Sequence, residues 1–134
     1  MNTVDVPLSH RWAVTAVEDA LQLQRPSDVC IFHNTAVHVR DFLWSPDLIA
    51  VKDETPFHDG AYDSFGVLLA VGIAAPVART GIASYWQLGP DLALSSFELK
   101  DGLYELVTRA GAGDQFTVAL PWPISFSTAH LALP

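Results

Sequence analysis

Apolar and polar positions alternate through several short stretches of the chain, and one stretch breaks the alternation. Val67 to Ala75 is a nearly continuous apolar run that begins after Phe65-Gly66 and stops at Pro76. It is too short to cross a bilayer, so it predicts a central strand covered on both faces. Gly66, the β-branched pair Val67 and Val71, Gly72 and the stop at Pro76 favour a strand over a helix. Gly72 is the odd position, because it gives up side-chain contacts in the most apolar element of the chain.

Before this run, Ser9 is placed to cap a helix in which Ala13, Val14, Val17, Ala20 and Leu21 form one stripe. Glu18, Asp19 and Gln22 lie largely off the stripe, and Pro26 ends the helix. Asp28 to Phe32 and Ala36 to Val39 read as strands joined by a His33-Asn34-Thr35 turn, with His38 and Arg40 alternating against Val37 and Val39. Trp44-Ser45-Pro46 breaks the chain before a short strand, Asp47 to Val51, whose first residue is a carboxylate at the sheet edge. Lys52 to Ser64 contains Pro56, Gly60 and four acidic residues, a composition that predicts an exposed loop.

After the apolar run, Pro76 to Thr80 leaves room for one or two helical turns at most, and Ser84 to Leu88 is a strand containing Tyr85 and Trp86. Leu92 to Lys100 and Leu103 to Arg109 flank Asp101-Gly102, the pair suited to a two-residue hairpin turn. Ala110 to Asp114 turns the chain again into a strand at Phe116 to Leu120, and Pro121-Trp122-Pro123 is a rigid kink. The expected architecture is an α+β or mixed α/β domain, with an N-terminal helix, a curved sheet, a nearly missing second helix and a C-terminal antiparallel ribbon.

Composition narrows the picture. A chain of 134 residues is expected to form one domain, residues 1–134, with enough core to need no disulfide, and the single Cys30 rules out an internal one. Between Val29 and Ile31, Cys30 reads as a buried, inert thiol. A reduced, cytoplasmic setting is the default, since no secretory leader and no membrane span are visible. The net charge of −8 and seven scattered Lys and Arg argue against an extended nucleic-acid footprint. Charged residues are only 16% of the chain and hydrophobic ones 50%, so some apolar surface is expected to be covered by a partner, with a homodimer the simplest candidate.

An ordered series of elements resembles the Uma2 family. It consists of His10 with the following helix, Ser45-Pro46-Asp47-Leu48-Ile49-Ala50-Val51, the Val67 to Pro76 run, Gly81-Ile82-Ala83-Ser84-Tyr85-Trp86, Asp101-Gly102-Leu103-Tyr104, and Phe116-Thr117-Val118 with Trp122-Pro123-Ile124. The likeness spans roughly residues 8 to 131. It implies the restriction endonuclease-like, PD-(D/E)XK fold and a family of endonucleases. The family's metal-binding aspartate matches Asp47, but its strand glutamate falls on Gly72, and Ala74 stands where a Glu-X-Lys arrangement would put lysine. The helix that commonly supplies a basic residue looks deleted, leaving only Arg79.

Hydrolysis of a phosphodiester on this fold needs two or more carboxylates on Mg²⁺ or Mn²⁺ and a lysine to orient the attacking water. Asp47 alone is therefore a catalytic remnant, no metal ligand set or cofactor is assigned, and Mg²⁺ or Mn²⁺ would enter only for a residual nuclease. The leading expectation is a catalytically degenerate, binding or structural protein. Its alternatives are a small-molecule enzyme or biosynthetic accessory that reuses the cleft, and a residual metal-dependent endonuclease; whether the chain is an enzyme is left open. A reused cleft would take an apolar small molecule or peptide, with Trp44, His58, Tyr85 and Trp86 as the candidate ligand-binding residues. His58-Asp59 could alternatively coordinate a metal or act as an acid-base pair. His33 and His38 read as surface or packing residues, and Trp122 as core.

Overall fold

The structure is a computed structural model and describes residues 7–134. Helix α1 (Leu8–Gln24) is followed by β1 (Val29–His33), β2 (Ala36–Val39), β3 (Phe42–Trp44), β4 (Leu48–Lys52), β5 (Phe57–His58), β6 (Ala61–Asp63) and β7 (Val67–Gly72). Then come β8 (Ser84–Leu88), β9 (Leu94–Lys100), β10 (Leu103–Ala110), β11 (Gln115–Val118) and β12 (Ile124–Ser127). A six-stranded sheet runs β1-β4-β7-β8-β9-β10, a four-stranded sheet runs β3-β2-β6-β5, and β11 and β12 form a separate ribbon.

The sheets stack so that the six-stranded one is the middle layer. On one face, Leu48, Ala50, Leu69, Val71, Trp86 and Leu88 pack against Ala13, Val17 and Leu21 of α1 and against Phe116 and Ile124 of the ribbon. On the other, Ile49, Val51, Val67, Ala70 and Tyr85 pack against Val37 and Val39 of the small sheet. Strand β7 lies between antiparallel β4 and parallel β8. Covered on both sides and on both edges, it has no polar face to present, which accounts for its unbroken apolar sequence.

Several expectations need correction. Helix α1 opens on Pro7, whose carbonyl accepts from the amides of His10 at 3.0 Å and Arg11 at 3.1 Å; no side chain caps it, and Ser9 lies inside the first turn. Proline's fixed φ already suits chain entry to a helix. Strand β7 ends at Gly72, and Ile73, Ala74 and Ala75 are exposed.

The acidic Lys52 to Ser64 segment is a structured hairpin, β5 and β6, with β6 parallel to β2 and Ala61 buried. Its turn residues Asp59 and Gly60 have φ of 51° and 78°, the two-residue geometry also found at Asp101 and Gly102. Trp44 belongs to β3 rather than to a break, and β12 adds a strand after the Pro121-Trp122-Pro123 kink. Cys30 is half-buried, with its thiol donating to Asp53 at 3.4 Å. Desolvation first, then the neighbouring Asp53 carboxylate, raise its pKa, which disfavours the thiolate.

Parallel strands ordinarily need a crossover of about a dozen or more residues, usually helical. Here residues 73–83 join β7 to β8 with only a 3-10 turn at Ala78–Thr80. Among the described residues no helix is long and apolar enough to cross a membrane.

Candidate functional site

Strands β4 and β7 pair antiparallel, with Leu48 opposite Val71. One step further along this register, Asp47 and Gly72 stand at neighbouring strand ends, the geometry in which two side chains could share an ion. Only one of them has a side chain. A Cβ at position 72 would sit 2.7 Å from Tyr85 Oη, inside any real carbon contact. The phenol is held there by a hydrogen bond to the Ala74 carbonyl at 2.7 Å. Tyr85 is 2% exposed, so its ring has no room to swing aside. Burial, with the Asp47 charge second and Tyr104 third, pushes the Tyr85 hydroxyl well above the ordinary phenol range. It is a neutral donor, and its hydrogen is committed to Ala74.

Asp47 is also engaged. Its Oδ2 lies 3.2 Å from His10 Nε2, with side chains 30% and 15% exposed. Both line a groove of about 260 Å³ with Arg11, Val14, Glu18 and His33. In it a second imidazole-carboxylate pair, His33 Nδ1 and Glu18 Oε2, is 3.1 Å apart. The four-residue steps from His10 to Val14 to Glu18 put these side chains on one helical face, a periodicity that could have revealed the groove. Arg79, the one base in the shortened crossover, has its guanidinium 4.1 Å from the Phe42 ring centroid in a cation-π contact.

The chain was compared with known proteins. No model of a known protein family matches it, and no curated protein matches it. A solved structure from Anabaena variabilis, described as a candidate nuclease belonging to DUF820, superimposes with a TM-score of 0.61 over 98% of this chain and 84% of that one, at 12% identity. The chain shares the fold of that structure. At this identity the likeness establishes the mixed α+β architecture and nothing about chemistry.

On that fold, the residues around Asp47 do not fit the cation that phosphodiester hydrolysis requires. Mg²⁺ takes oxygen ligands, several of them carboxylates or waters, in strict geometry. The space opposite Asp47 holds a phenol whose proton points to a backbone carbonyl, and the neighbour of Asp47 is an imidazole.

The structure scatters the aromatic candidates. Trp44 packs on Tyr85 with centroids 6.0 Å apart. Consecutive residues of a strand face opposite ways, so Trp86 enters the other core, where it meets Phe116 edge-on at 4.9 Å. Trp122 is buried in that same core, as the sequence suggested. Among the described residues no Trp or Tyr lines the groove at Asp47. His58 sits on the outer sheet, stacked on His38 at 4.5 Å, with Nδ1 3.5 Å from Asp59 and Nε2 3.4 Å from Asp63. These carboxylates, Asp59 first, raise the His58 pKa.

Proposed function

We propose that this chain is a catalytically degenerate, Uma2-like protein that retains the nuclease fold as a binding or structural component and acts as a homodimer. The observation that carries this reading is the Tyr85 hydroxyl in the space a side chain at position 72 would need. The His10 contact with Asp47 and the use of Arg79 on Phe42 support it, since each takes a group that cleavage would require and gives it a structural partner.

Homodimerisation is supported by the outermost strand of the six-stranded sheet. Among the described residues strand β10 has one unpaired edge, and it exposes Leu103, Leu106 and Val107 at 69%, 56% and 55%. A two-fold antiparallel pairing about Val107 would set Glu105 of each copy opposite Arg109 of the other.

Calorimetric titration with Mg²⁺ and Mn²⁺ tests the loss of the cation site. The expected isotherms are the same for the wild-type chain and Asp47→Ala. Cation binding that disappears on removing the Asp47 carboxylate would overturn the reading.

A further inference from the structure

We propose that His38, His58 and Asp59 bind one divalent transition-metal ion of the zinc class on the outer, four-stranded sheet. One ligand atom from each residue lies within 4.8 Å of the other two. None of the three lines the Asp47 groove, and they come from β2 and the β5–β6 hairpin instead.

The hydrogen bonding around them is that of metal ligands held by their second nitrogen. His38 Nε2 is 2.9 Å from the His58 carbonyl oxygen, which can only accept, so Nε2 carries the hydrogen and Nδ1 keeps its lone pair. On His58 both nitrogens face carboxylates, and a hydrogen carried on Nε2, toward Asp63, leaves the Nδ1 lone pair beside Asp59. Nε2 faces Asp63 Oδ1 at 3.4 Å, while Nδ1 stands 3.5 Å from Asp59 Oδ2.

At 3.5 Å the His58–Asp59 contact, like the 3.4 Å contact to Asp63, is a long hydrogen bond. It is close to the edge of a tetrahedron built on bonds of about 2.0 to 2.1 Å, roughly 3.3 to 3.4 Å, so the two atoms are spaced as neighbouring ligands of one ion. The Asp59-Gly60 turn, with φ of 51° and 78°, fixes the aspartate beside the histidine.

Two imidazoles and one carboxylate select zinc, cobalt, nickel or copper over the oxygen-seeking Mg²⁺ and Ca²⁺. The rings are stacked within 9° of parallel, so their lone pairs do not converge until one ring tilts; the more exposed His58 is the one to tilt, giving up part of its stacking on His38. The bound ion would clip the β5–β6 hairpin to β2, with water in the remaining coordination position.

The test uses the full chain without a histidine tag, equilibrated with Zn²⁺ for stoichiometry and with Co²⁺ for its visible absorption. One ion per chain is expected, with a rise in the thermal midpoint. His38→Gln and His58→Gln should abolish saturable binding, and Asp63→Asn should weaken it about tenfold or more. Asp47→Ala and His33→Gln should leave it unchanged. Circular dichroism checks folding, and the exposed His58 supplies a variant that decides the matter if His38→Gln does not fold. Absence of one saturable site per chain, binding indifferent to His58→Gln, or binding lost in Asp47→Ala or His33→Gln would each overturn the assignment.

Discussion

A single hydroxyl decides what position 72 can hold. With Tyr85 Oη 2.7 Å from a Cβ there, Gly72→Ala should cost about 1 to 3 kcal/mol through overpacking. The next ring atom, Cζ, is 3.7 Å away, an ordinary contact, so the penalty should largely vanish in a Tyr85→Phe background. Urea unfolding of the four proteins measures this coupling; additive costs would show that the hydroxyl is not the obstacle.

Glu98 offers a second residue-scale prediction. It is buried beside Ser84, whose hydroxyl donates to it at 2.7 Å, yet desolvation outweighs that bond and raises the carboxyl above its ordinary 4.5. A folded-state pKa above the unfolded one means that the folded chain holds this proton more tightly. The associated stability is full below pH 4.5 and is lost as pH rises through the folded value. Glu98→Gln should therefore flatten the stability profile over that window and raise the stability at pH 7, by about 1 kcal/mol on the scale of a single substitution. Melts at pH 4 and pH 7 check it, and an unchanged pH profile would count against the burial account.

At the scale of elements, what was legible in the sequence followed from periodicity and turn chemistry. The α1 stripe, the β9–β10 hairpin about Asp101-Gly102 and the central position of β7 all depend on local patterns that the tertiary structure respects. The β5–β6 hairpin was hidden because its composition is that of a loop, although Asp59-Gly60 carries the same turn signal as Asp101-Gly102. Stacking of His38 on His58 was not legible, since it depends on β2 and β6 pairing in parallel across a separation that no local pattern records. The exposed apolar edge of β10 carries a prediction at this scale. Leu106→Glu places a charge on an already exposed position, so the fold should keep its stability within about 0.5 kcal/mol. Light scattering should find a dimer for the wild-type chain and a monomer for the variant; a wild-type monomer would remove the dimer from the account.

Over the whole molecule, two cores flank one sheet, and the proposed loss of hydrolysis rests on side-chain packing at the ends of β4 and β7. The resemblance singled out Asp47 and Gly72, and the structure places them at neighbouring strand ends. That Tyr85 fills the gap was not readable, because residues 72 and 85 meet only through the parallel pairing of β7 with β8. The most direct measurement is incubation of the purified chain with supercoiled plasmid in Mg²⁺ or Mn²⁺, beside Asp47→Ala and a buffer control. The account predicts no nicking above the control for either protein. Cleavage by the wild-type chain that is abolished in Asp47→Ala would contradict it.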